Sequence, residues 1–181
     1  SLDTSEYFRG KEDFKYSHKG FPRRSRAKQF VNAGQVVIGD EKTELSTAGV
    51  ATCSVIAISY GNMTLLGHIN ADASQRTLIM SKLREMFPNG FPNDLEILVQ
   101  GGAMDNTYSL HRIRMALQGL GLEDKIKYLG SLQSIGQKFG ITPNGTFLIQ
   151  NEHSNRFGNL AGSLNFSTTP ERRSRIQAPS V

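Results

Sequence analysis

Apolar residues along this chain gather into short runs divided by turn signals, and the spacing within the runs switches between strand and helix periods. QVVIGD (35–40) reads as a short strand ending at a turn. VATCSVIAISY (50–60) is dense in Val and Ile, which predicts a well-buried strand. Gly61-Asn62 and a second apolar run, MTLLGHIN (63–70), follow it, and two such runs joined by Gly-Asn predict a β-hairpin. LEILVQGGA (95–103) predicts a third buried strand running into a Gly-Gly turn, and IKYLGSL and GTFLIQ add two more. In QRTLIMSKLREMF, Leu78, Ile79, Leu83 and Met86 fall near helical spacing, so a helix is expected with Ser74 as its cap and Pro88 with Asn89-Gly90 as its stop. TYSLHRIRMALQGLG repeats Leu110, Ile113, Leu117 and Leu120 every three to four residues, predicting a second helix capped by Asn106 and stopped by Gly121. The sum is an α+β fold: a mixed central β-sheet or sandwich with about two packed helices.

A length of 181 residues suits one domain with a single core. That core is expected over 29–160, between a polar basic N-terminal lead (1–28) and a flexible basic C-terminal tail (161–181). No apolar run approaches the roughly 20 residues that a membrane helix requires. The opening SLDTSEYFRGKEDFKYSHKG lacks the apolar stretch of a secretory signal. The net charge is +5, and much of it sits towards the ends, in Arg23, Arg24, Arg26 and Lys28 and in Arg172, Arg173 and Arg175. That placement fits solvated or docking arms better than a nucleic-acid surface, so nucleic acid is not the expected partner.

The composition contains one cysteine, which excludes an intramolecular disulfide and leaves a free thiol suited to a reducing compartment. The hairpin gives that thiol a neighbour. With Gly61-Asn62 as the two loop residues, Tyr60 pairs with Met63, and counting outward sets Val55 opposite His68 and Cys53 opposite Asn70. Cys53 and His68 then share a face as diagonal neighbours, about 7–8 Å apart at the backbone, a gap that side chains can span. A one-residue slip would send them to opposite faces. An imidazole beside a thiol can take its proton, and the imidazolium can then protonate a leaving amine, which is the chemistry of carboxamide hydrolysis through a thioester. Backbone N–H groups just before Cys53 are the expected oxyanion donors. The competing expectation is that Cys53 is a small apolar filler of the core.

The run LSTAGVATCSVIAISYGNMTLLGHINA resembles the chemoreceptor glutamine deamidases (CheD family) and the related catalytic domains of cytotoxic necrotizing factor-type toxins. Thr47 precedes Cys53 by six residues and His68 follows it by fifteen, and the order Thr, Cys, His is placed along one hairpin. QVVIGD and LEILVQGGAM extend the likeness over 35–104. The chain departs from that family immediately before the cysteine, where Ala51-Thr52 stands in place of a Gly-Ser or Ser-Gly pair. The resemblance implies a protein-glutamine deamidase with Cys53 as nucleophile, His68 as base and Thr47 orienting the histidine or the substrate. It implies a protein substrate carrying a reactive glutamine and no cofactor. It places the enzyme in the cytoplasm, either of the producing bacterium or of a target cell after secretion as an effector or toxin.

Other residues offer weaker chemistry. His111 is expected on the surface or boundary of the second helix, and His18 and His153 lie in polar segments, with no spacing that suits a metal. Gly101-Gly102 reads as a structural turn, because the rest of a nucleotide fingerprint is missing. Asp72 is expected to begin the first helix rather than to orient His68. Two rivals to the deamidase reading stand: a binding module with a silent thiol, and another thiol acyltransferase or protease.

Overall fold

A computed structural model describes residues 15–17, 27–101, 108–128, 137–142, 146–151 and 161–165. Its strands are β1 (Lys15–Ser17), β2 (Ala27–Phe30), β3 (Val36–Gly39), β4 (Thr43–Val50), β5 (Ser54–Tyr60), β6 (Met63–Ile69), β7 (Ile97–Gln100), β8 (Ile126–Tyr128), β9 (Gln137–Ile141), β10 (Thr146–Asn151) and β11 (Ala161–Asn165). Two helices, α1 (Ser74–Met86) and α2 (Tyr108–Gly119), complete the fold with a turn of 3-10 helix at Glu123–Lys125. A six-stranded sheet has the order β1-β11-β10-β9-β4-β2, and a five-stranded sheet the order β3-β6-β5-β7-β8. Pairing is parallel between β2 and β4 and between β7 and β8, and antiparallel elsewhere, so both sheets are mixed and the class is α+β.

The unbroken apolar run of β5 follows from its position between two layers. All seven of its residues are buried. Ile56, Ile58 and Tyr60 pack with Ile79 and Leu83 of α1 and Ile113 and Leu117 of α2. Val55 and Ala57 face the other way, into a cluster with Leu45, Phe139, Ile141 and Phe147 of the six-stranded sheet. A strand covered on both faces has no polar side to alternate with. The layers are therefore helices, five-stranded sheet, six-stranded sheet, with one apolar core on each side of β5.

Helical spacing marked the two helices correctly, though not the cap of the first. In α1 the buried apolar positions are Ile79, Leu83 and Met86, with Gln75 buried beside them. Ser74 is not its cap: Asp72 Oδ1 accepts from the Ser74 backbone N–H and from the Ser74 hydroxyl, both at 2.8 Å. The acidic side chain two residues earlier outcompetes the hydroxyl because it accepts both donors at once. Gly121 does end α2. With φ at +71° it turns the chain so that Leu122 N–H reaches Leu117 C=O at 2.8 Å and Gly121 N–H reaches Gln118 C=O at 3.1 Å, a Schellman closure. Asn106 lies outside the described residues.

Two expectations about boundaries change. The strand predicted from Val50 begins at Ser54, because Val50 closes β4 of the other sheet and Ala51–Cys53 form a bend. A register shift between Thr47 and Val50, with Gly49 at φ +69°, kinks the chain there and carries it from one sheet to the next. The tail expected from residue 161 opens with a strand: β11 pairs with β1 and β10, so sheet structure extends beyond 29–160 at both ends. Its sequence AGSLN has too few β-branched residues to announce a strand by itself. The arginines of the basic arms lie outside the described residues. Among those residues, no helix is long and apolar enough to cross a membrane.

Gly67 is where β6 meets β5 most closely. A Cβ there would lie 2.7 Å from Ile56 Cγ2 and 3.1 Å from Val36 Cγ2, both on fully packed side chains. Gly67→Ala is expected to destabilise the fold by about 1–3 kcal/mol through overpacking. Urea unfolding should show a lower midpoint at an unchanged slope, and an unshifted midpoint would mean that the packing between the five-stranded sheet and the helices yields easily.

Candidate functional site

The hairpin forms in the register that the Gly-Asn loop predicts. Tyr60 pairs with Met63, and the ladder runs without interruption through Val55 opposite His68 to Ser54 opposite Ile69. Gly61, at φ +65°, supplies the left-handed turn that a two-residue hairpin needs. Cys53 stands one residue before the strand and packs against the inter-sheet cluster that contains Val55. Val55 and His68 share that face, so the thiol and the imidazole lie on the same side of the sheet. His68 is buried, with 3% of its surface exposed, whereas Cys53 is half-buried.

Thr47 joins them by another route than the one expected. It lies on β4 in the facing sheet rather than along the hairpin, and its hydroxyl crosses the gap to within 2.8 Å of His68 Nδ1. The same hydroxyl donates to Val31 C=O at 2.6 Å. A threonine hydroxyl has one proton, and an oxygen–oxygen contact of 2.6 Å needs that proton between the two atoms. The bond to His68 must therefore be closed by the imidazole: Nδ1–H donates to Thr47 Oγ1. The tautomer is then fixed, and Nε2 carries the lone pair. That Nε2 is buried and has no hydrogen-bond partner.

Burial lowers the His68 pKa and keeps the ring neutral, while burial raises the Cys53 pKa, opposed in part by a hydrogen bond from the Thr52 side chain. Both shifts favour the uncharged forms, a thiol and a neutral imidazole.

Two further sets of contacts hold the site, and the sequence reading missed both. Ser109 of α2 donates its hydroxyl proton to Thr52 C=O at 3.2 Å, and Ser54 Oγ, 2.6 Å from Ser109 Oγ, supplies the proton behind it. Both serines are fully buried. This clamp fixes the bend before Cys53 against the helix layer. Among the described residues, the N–H groups of Ala51, Thr52 and Cys53 donate to no backbone carbonyl. On the other side, His68 is gripped through its backbone: its C=O accepts from Gly34 N–H at 2.7 Å and its N–H donates to Gln35 C=O at 3.0 Å. Gln75 braces that loop, accepting from Asn70 N–H and donating to Gly34 C=O, each at 3.2 Å. A serine one residue into a helical run and a glutamine at a buried helix position were the only traces in the sequence.

The remaining candidates lie apart. His111 is half-buried on α2, Asp72 serves the start of α1, and His18 and His153 lie outside the described residues. No group of three or more His, Cys, Asp or Glu side chains that could hold a metal occurs among the described residues. A cavity of about 260 Å³ opens on the six-stranded sheet between Lys28, Phe30, Glu44 and Lys138; it borders Thr47 but contains neither Cys53 nor His68.

The single-proton argument is testable. In ¹⁵N spectra of the imidazoles, His68 should show a protonated Nδ1 and a bare Nε2, with a titration midpoint below the ordinary imidazole value. Thr47→Val should mix the tautomers. A wild-type ring protonated on Nε2 would overturn the assignment. The sign for stability follows: as pH falls, the unfolded chain takes up this proton first, so the His68 contribution is full above the ordinary imidazole pKa and shrinks on acidification through it. No protein-family model and no curated protein sequence matches this chain.

Proposed function

We propose that this chain is a cysteine-dependent hydrolase of carboxamides that deamidates glutamine side chains of a target protein. One observation carries the reading: the Thr47 hydroxyl, committed to Val31 C=O, obliges His68 to present an unprotonated Nε2 on the face that Cys53 shares. The resemblance of the Thr47–Cys53–His68 run to the glutamine deamidases supplies the substrate class.

The reaction uses these groups in sequence. Nε2 takes the thiol proton as Cys53 Sγ attacks the carboxamide carbon, and the negative charge that develops on the carbonyl oxygen meets the free N–H groups at Ala51–Cys53. The imidazolium, held through Nδ1–H by Thr47, returns its proton to the nitrogen, ammonia departs and a thioester remains. Water then gives a proton to Nε2 and attacks the thioester, and collapse of the second adduct expels Cys53 as a thiol with a glutamate side chain as product. No metal or cofactor is needed for any step. The setting is the cytoplasm, of the producing bacterium or of a cell that receives the protein as an effector, where the thiol stays reduced.

A second reading has an observation of its own. The raised pKa of Cys53 is what burial does to any inert core thiol, so a binding module on this scaffold, with a silent cysteine, is the alternative. Intact-mass analysis of a protein substrate or cell lysate separates the two. Deamidation adds about one mass unit per site with release of ammonia and without chain cleavage, and it should vanish in Cys53→Ser and His68→Ala. Because burial depresses the His68 pKa, the base stays unprotonated below the ordinary imidazole range, and the acid limb of kcat/KM should fall there. Full activity in Cys53→Ser, or partner binding with no thiol-dependent mass change, would favour the module.

A further inference from the structure

Gln100, the last residue of β7, is paired with Val55 on the side of β5 opposite to β6, and Val55 is itself paired with His68. Directly paired residues project to one face, so His68, Val55 and Gln100 form a row across three strands that looks towards the six-stranded sheet. Cys53 lies two residues before Val55, on the bend that precedes β5, and packs against the same inter-sheet cluster. Gln100 is fully buried. Its Nε2 donates to Gly101 C=O at 2.8 Å, a bond that only the nitrogen can make, so the amide cannot be reversed. Its Oε1 is buried and has no hydrogen-bond partner. A buried acceptor left empty is costly to a fold, and apolar residues of similar size are available to a strand end.

We infer that Gln100 is a specificity residue, whose Oε1 accepts an N–H of the substrate carboxamide; this rests on the deamidase reading. A primary carboxamide has two N–H donors and one carbonyl oxygen. The row offers Gln100 Oε1 as acceptor for one of those N–H groups, His68 Nε2 serves the Cys53 thiol, and the N–H groups at Ala51–Cys53 offer donors to the carbonyl oxygen. The same acceptor is unfavourable for a carboxylate, which has no proton to give, and so discriminates the glutamine substrate from the glutamate product. In the tetrahedral adduct the nitrogen becomes pyramidal, and an N–H held by Gln100 turns its lone pair towards the His68 imidazolium.

The test compares two substrates on the full chain: a glutamine peptide and the same peptide with the γ-methyl ester of glutamate, which forms the same thioester with loss of methanol but has no N–H to offer. Gln100→Leu should lower kcat/KM for the glutamine peptide by about fivefold to a hundredfold and leave ester turnover within about twofold of wild type. Its urea midpoint should equal or exceed that of wild type, since an empty buried acceptor has been removed. Equal losses on amide and ester, or no loss on the amide, would overturn the inference. If Gln100→Leu does not fold, Gln100→Met carries the same comparison. A wild-type chain that turns over neither substrate through Cys53 would overturn the deamidase reading and this inference together, whereas an active wild type matched by Gln100→Leu would overturn the inference alone.

Discussion

The Thr47 hydroxyl has a single proton to give and two neighbours within hydrogen-bonding distance, Val31 C=O and His68 Nδ1. Giving the proton to the carbonyl forces the imidazole to donate, and everything chemical about the site follows from that choice. Nε2 is left unprotonated, buried and without a hydrogen-bond partner. The hydroxyl can do this only because β4 belongs to one sheet and β6 to the other, with the two packed face to face over the cluster of Leu45, Val55, Ala57, Leu66 and Phe139. The apolar contact between sheets thus sets the polar contact between Thr47 and His68.

Burial has two opposite effects here. It holds His68 neutral, which a general base requires, and it also holds Cys53 protonated, which a nucleophile does not want. Both directions favour the uncharged forms of the two side chains. The site is otherwise rigidly held. The Ser54–Ser109–Thr52 clamp ties the nucleophile's bend to the helix layer, and the Gln75 brace ties the Val31–Gln35 loop to α1. Both helices thereby hold the segments that bear Cys53 and His68.

Much of this was legible along the chain, and the reasons are local. A two-residue Gly-Asn loop permits few registers, and the period of two then determines which face each residue takes, so Val55 opposite His68 could be read without knowing the fold. The helices announced themselves by spacing, and Gly121 by its freedom to adopt positive φ. The strands at the margins were not legible. AGSLN and KYS are short and polar, and they become strands because a neighbouring edge supplies hydrogen-bond partners. The break between β4 and β5 was hidden too, since the run from Val50 to Tyr60 stays apolar while the backbone changes sheets.

What the sequence alone determined is the register of the hairpin, with Val55 opposite His68, because a two-residue loop makes it a matter of counting. What only the tertiary structure decided is that Thr47 reaches His68 from the other sheet, and which ring nitrogen carries the proton. Thr47 is on a different sheet, twenty-one residues from His68, and the carbonyl that claims its proton belongs to Val31, sixteen residues before it. Contacts of that kind depend on where two sheets come to rest against each other, a long-range outcome of apolar burial that leaves no period or spacing along the chain.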